Sequence, residues 1–112
     1  MNDLEKRLSI LKSDLTTTWQ KLQITQKIEK LEDLERQISE PELWQNPKNA
    51  KKVNTSFSRL KSEVEPWQML EMQTSDLQEI LELQEPDLIS EINDQLTSME
   101  QTLAGLKKAL RF

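Results

Sequence analysis

Carboxylates are the only plentiful groups in this 112-residue chain that could do acid–base or metal chemistry. They cluster at Glu32, Asp33 and Glu35 and again at Glu79, Glu82 and Glu85. A catalytic carboxylate pair needs a cleft and one member whose pKa is raised by burial. These clusters lie off the apolar positions, so they read as solvated helix faces. Histidine is absent, which removes the commonest general base and metal ligand. Cysteine is absent too, which excludes disulfides, thiol catalysis and thiolate metal sites and fits an intracellular setting. No EF-hand-like loop offers oxygen ligands to a cation, and the single glycine, Gly105, cannot form a phosphate-cradling loop. The expectation is a protein without catalysis and without cofactor or metal.

Lys48, Lys51, Lys52, Arg59 and Lys61 form the one basic cluster. At helical spacing Lys48, Lys52 and Arg59 share a face largely opposite the apolar one. Such a face is either a solvated helix back or a contact for RNA or an acidic partner. Formal charge is −5, which argues against binding free nucleic acid but leaves room for docking on a ribonucleoprotein through a local patch. No basic residue lies between Ser62 and Leu106, so the acidic stretch from Glu63 to Glu100 is a solvated face or a docking surface for a basic partner. Trp19, Trp44 and Trp67 read as packing residues, with Trp44 a plug where two helices meet.

The elements that would hold these groups are helices. Leu4, Leu8, Leu11 and Leu15 repeat at steps of four and three, which places them on one face. Asn2 or Asp3 could cap that helix. The β-branched run Thr16-Thr17-Thr18 weakens the pattern, which resumes at Ile24, Ile28, Leu31 and Ile38. Residues 3–39 are therefore one helix with a weak point near Thr16 to Gln20, or two consecutive helices. Pro41 disfavours the α conformation at Glu40 and should end the helix by about Ser39. Asn46 can cap the next, with Pro47 at its first position, where the missing N–H costs nothing. A second stripe, Ala50, Val53, Phe57, Leu60, Val64, Trp67, Leu70, Leu77 and Leu81, runs over 47–83 and crosses Pro66, where a kink is expected. Glu85-Pro86-Asp87 opens a last helix, 86–111, with Ile89, Ile92, Leu96, Met99, Leu103, Leu106 and Leu110 on one face. Lys107, Lys108 and Arg111 would meet its C-terminal dipole. Short connections imply antiparallel neighbours. The predicted architecture is all-α: one domain over residues 1–112, an elongated antiparallel three-helix bundle with coiled-coil-like packing. No stretch is apolar enough to span a membrane or form a signal peptide.

The stretch Glu40-Pro41-Glu42-Leu43-Trp44, then Asn46-Pro47, then Ala50-Lys51-Lys52-Val53, preceded by Leu31-Glu32-Asp33-Leu34-Glu35, resembles the N-terminal helical domain of the bacterial peptide chain release factor 2 family. The resemblance covers roughly Ile24 to Phe112. The related factors that read UAA and UAG are not associated with this Pro-x-x-Trp turn. The resemblance implies a class I termination factor for UAA and UGA, and makes Glu40, Pro41, Trp44, Asn46 and Pro47 a structural turn. The family's Gly-Gly-Gln and Ser-Pro-Phe tripeptides are absent here. The expectation is thus an N-terminal fragment of a longer factor. It would be a cytoplasmic, monomeric docking domain that seats the factor near the GTPase-associated region of the large ribosomal subunit, with ties to the recycling GTPase of termination. Lys48, Lys52 and Arg59 are the candidate contacts. The competing expectation is a free-standing helical scaffold or dimerisation protein whose apolar stripes a second copy would cover.

Overall fold

A computed structural model describes residues 2–110. Among them are four α-helices and two 3-10 segments and no strand, so the fold is all-α: α1 (Asn2–Lys21), α2 (Ile24–Ser39), α3 (Pro47–Glu82) and α4 (Ile89–Ala109). The 3-10 segments, Pro41–Gln45 and Pro86–Leu88, follow α2 and precede α4. Arg111, expected at the dipole of the last helix, lies outside the described residues, as does the side chain of Asn2. Asp3 sits inside the first turn of α1.

The first expected helix is two. The joint falls at Leu22-Gln23, a few residues beyond the threonine run. Gln23 takes the left-handed conformation at φ 55°, and its N–H donates to the carbonyl of Gln20 at 3.2 Å. That is the role glycine usually fills after a helix; for an L-residue the conformation costs about 1–2 kcal/mol. The threonines stay helical. Thr18 is buried, and its hydroxyl donates to the Asp14 carbonyl one turn earlier at 2.9 Å, so its polar group is satisfied within the helix. Gln84 repeats the device at φ 52° after α3, donating to the Leu81 carbonyl.

α3 is 36 residues long and runs unbroken through Pro66. Around the proline, Val64, Trp67 and Leu70 are all buried. Burying side chains of this size contributes about 1.5–3 kcal/mol each, which together outweighs the roughly 3 kcal/mol that a mid-helix proline costs.

The chain divides into two compact units. One combines α1 up to Thr18 with the chain from Met69 onward. Its core is Leu4, Leu8, Leu11 and Leu15 of α1, Leu70, Leu77 and Leu81 of α3, and Ile92, Leu96, Met99 and Leu103 of α4. Here α1 and α4 lie side by side and run in the same direction, because Arg7 meets residues 93–100 while Asp14 meets Lys107. Arg7 donates to both carboxylate oxygens of Glu100 (2.6 and 3.3 Å), to Asn93 Oδ1 (2.7 Å) and to Thr97 Oγ1 (3.1 Å). The hydrogen bond to Glu100 pushes the Arg7 guanidinium above its already high ordinary pKa, so it stays charged at any working pH. The other unit, Trp19–Gln68, buries Ile24 and Leu34 of α2 and Ala50, Val53, Val64 and Trp67 of α3, and Lys27 pairs with Glu63 at 2.6 Å. Leu34 is more buried than Ile28, Leu31 or Ile38, which are half-buried. Ile89 and Leu110, expected on the buried face of the last helix, are 38% and 46% exposed, because each lies at an end of α4.

Two outcomes follow. Gly105 is in mid-helix and exposed, and a Cβ added there meets nothing within 4 Å. Gly105→Ala should stabilise the chain by about 0.5–1 kcal/mol, read as a rise in Tm of a few degrees. A double-mutant cycle of Arg7→Ala and Glu100→Ala in urea unfolding should give a coupling of about 1 kcal/mol, since the forked pair is charge-assisted but only part-buried.

Candidate functional site

The turn between α2 and α3 is built as the sequence suggests up to Trp44. α2 ends at Ser39, and Glu40 is extended (φ −79°, ψ 119°) as required before proline. Pro41 opens the 3-10 segment, whose N–H groups are taken up locally: Leu43 donates to the Glu40 carbonyl and Asn46 to the Leu43 carbonyl. Asn46 caps α3, with its Oδ1 accepting from the Asn49 N–H at 3.3 Å and its carbonyl from the Ala50 N–H at 2.9 Å. Pro47 is the first helical residue.

Trp44 is not a plug. It is 54% exposed, and its indole N–H donates to the Ile38 carbonyl at 3.0 Å. The 3-10 conformation turns the ring outward, and that bond satisfies a carbonyl at the end of α2. Of the other tryptophans, Trp67 is buried, and Trp19 is half-buried with its N–H on Thr25 Oγ1 at 2.9 Å.

The turn delivers the chain into the basic face of α3. Lys48, Lys51, Lys52, Arg59 and Lys61 are all exposed. At about 100° per residue, Lys48, Lys52 and Arg59 fall within about 40° of one another, on the side away from Val53 and Val64. Lys61 has local partners: Glu65 at 3.8 Å and the Phe57 ring, whose centroid lies 5.7 Å away. Among the described residues, Lys48, Lys52 and Arg59 enter no ion pair. They are thus available to an anion, and no described carboxylate pairs with them.

A groove of about 420 Å³ lies between α1 and α4, lined by Ile10, Leu11, Asp14, Glu100, Leu103 and Lys107 among others. Three of its four charged side chains are paired: Lys107 sits 2.9 and 3.0 Å from the two Asp14 oxygens, and Glu100 is held by Arg7, while the exposed Lys108 enters no ion pair among the described residues. No described buried side-chain polar atom is left without a partner there or elsewhere. Among the described residues no three side chains converge as a metal site, and no helix is long and apolar enough to cross a membrane.

Because the Asn46 cap carries the start of α3, Asn46→Ala should cost about 1 kcal/mol in thermal or urea unfolding. Asn46→Asp should retain most of that stability, since its carboxylate can accept the same N–H bond.

Comparison with known proteins places the same segment in a family. A profile described as the PCRF domain matches residues 27–112. The chain is 44% identical over 62 residues to the peptide chain release factor RF2 of Thermus thermophilus, covering 55% of this chain and 16% of that protein. It is 29% identical over 82 residues to peptide chain release factor 2 of Borreliella burgdorferi, covering 73% of this chain and 23% of that protein. A peptide chain release factor 1, from Akkermansia muciniphila, is 28% identical over 92 residues, or 80% of this chain and 26% of that protein. The chain thus spans about a quarter or less of the length of these relatives. With the turn from Glu40 to Pro47 and the whole of α3 and α4 inside the matched residues, the chain belongs to the PCRF domain family.

Proposed function

We propose that this chain serves translation termination as the docking arm of a class I peptide chain release factor of the UAA/UGA-reading kind. The observation that carries the proposal is the family match over residues 27–112, together with relatives named peptide chain release factor 2. The Pro41-x-x-Trp44 turn supports the UAA/UGA preference. In this reading the arm seats the factor on the ribosome near the GTPase-associated region of the large subunit and takes part in its interplay with the recycling GTPase. It acts as a monomer in the cytoplasm. It is not itself an enzyme, because codon reading and peptidyl-tRNA hydrolysis belong to the Ser-Pro-Phe and Gly-Gly-Gln segments of the family, and neither tripeptide occurs in this sequence. Heptad-like leucine spacing and short turns support antiparallel, coiled-coil-like packing of helices that follow one another along the chain.

Lys48, Lys52 and Arg59 are the contacts to ribosomal RNA phosphates or an acidic ribosomal surface. Their exposure, shared face and lack of ion pairs among the described residues support that role. A chain of net charge −5 gains little from long-range attraction to RNA, so affinity depends on these few local cations. The test is cosedimentation with ribosomes across a salt series. Charge reversal at all three positions should weaken binding tenfold or more, and should lower the slope of log affinity against log salt by about 2–3. Unchanged affinity and slope would remove the patch from the interface.

A further inference from the structure

From Met69 to its end, α3 carries two stripes. Leu70, Thr74, Leu77 and Leu81 are buried in the core of their unit. Met69, Met72, Asp76, Glu79 and Leu83 follow one another at steps of three, four, three and four, centred about 150° away around the helix. Leu83 lies in the closing turn, where its N–H still donates to the Ile80 carbonyl. All five side chains face solvent: Met69 is 51%, Met72 52% and Leu83 63% exposed, and the two carboxylates are also exposed. Scattered exposed apolar residues are ordinary on a protein surface. Three of them at the a and d spacing of a heptad, bracketing two acids, make a seam of the kind that packs against another helix.

We propose that this seam docks one basic amphipathic α-helix of a partner protein. Charge complementarity selects the occupant. No basic residue occurs from Ser62 to Leu106, and Asp76 and Glu79 enter no ion pair among the described residues. A docking helix therefore places apolar side chains against Met69, Met72 and Leu83, and lysine or arginine against Asp76 and Glu79. The unbranched thioether side chains adapt to the partner's shape, while the carboxylates set register and steer the encounter. A second copy of this chain fits badly: paired symmetrically about the middle of the seam, it sets carboxylates against carboxylates in either direction. A nucleic acid is repelled by the same charges. The proposal stands apart from the ribosome-docking role of the basic face, which uses other residues of α3.

The test uses the whole 112-residue chain and a labelled three-heptad helical peptide, with leucine at a and d except for two central lysines placed to face Asp76 and Glu79. A control peptide carries glutamate in place of those lysines. In fluorescence anisotropy the lysine peptide should bind at least tenfold tighter than the control. Met72→Lys should weaken it about tenfold, and the pair Asp76→Lys with Glu79→Lys should reverse the preference toward the glutamate peptide. These positions are solvent-facing, so far-UV circular dichroism and the unfolding midpoint should stay near those of the parent chain. Equal affinity for the two peptides, no binding of the lysine peptide, or insensitivity to Met72→Lys would overturn the proposal. So would a sedimenting dimer that Met72→Lys dissociates, since the seam would then belong to a second copy.

Discussion

The burial of apolar side chains along the length of α3 is the constraint on which the rest of the structure depends. Ala50, Val53, Val64 and Trp67 of this helix serve the core of one unit, and Leu70, Leu77 and Leu81 serve the other. Pro66 lies inside the helix, and Val64, Trp67 and Leu70 beside it are all buried. The proline is held in place because its cost is local, one hydrogen bond and one crowded turn, whereas the burial of its neighbours is summed over several large side chains.

With that burial in place, the charges sort into those that hold helices together and those that enter no ion pair among the described residues. Arg7, Glu100, Asp14 and Lys107 tie α1 to α4, and Lys27 with Glu63 ties α2 to α3. These pairs are part-exposed, so each contributes modestly, but they fix direction and register between helices that leucines alone specify weakly. What remains is segregated along α3: cations on the outward face near its start, carboxylates among methionines on the outward face toward its end. A single helix thereby presents two surfaces of opposite sign.

Membership in the PCRF domain family gives the first of these surfaces its context. The sequence holds no histidine and no cysteine, and among the described residues no three side chains converge as a metal site. The turn from Glu40 to Pro47 serves shape. It closes α2 and caps α3, and the backbone N–H groups of Glu40, Leu43, Asn46, Asn49 and Ala50 all find acceptors within a few residues.

Much of the fold was legible in the sequence because it depends on local rules. Prolines and their neighbours marked the helix ends near Ser39 and Pro47, and leucine spacing picked out most of the core. The joint after α1 was not legible at its true place. It relies on a glutamine in a conformation that usually signals itself as glycine, while the threonine run that looked weak satisfies its polar group inside the helix. Trp44 was misread for a related reason: size and apolarity argue for burial, but where a side chain points in a 3-10 turn depends on the carbonyl it finds, here that of Ile38. The basic cluster and the acidic stretch could be listed from residue types alone. Only the tertiary structure decided which charges are consumed, because Arg7 and Glu100 are ninety-three positions apart and meet only once α1 and α4 lie side by side. Sequence determines what is near along the chain, through backbone sterics and helical period; which distant groups neutralise each other is decided by packing.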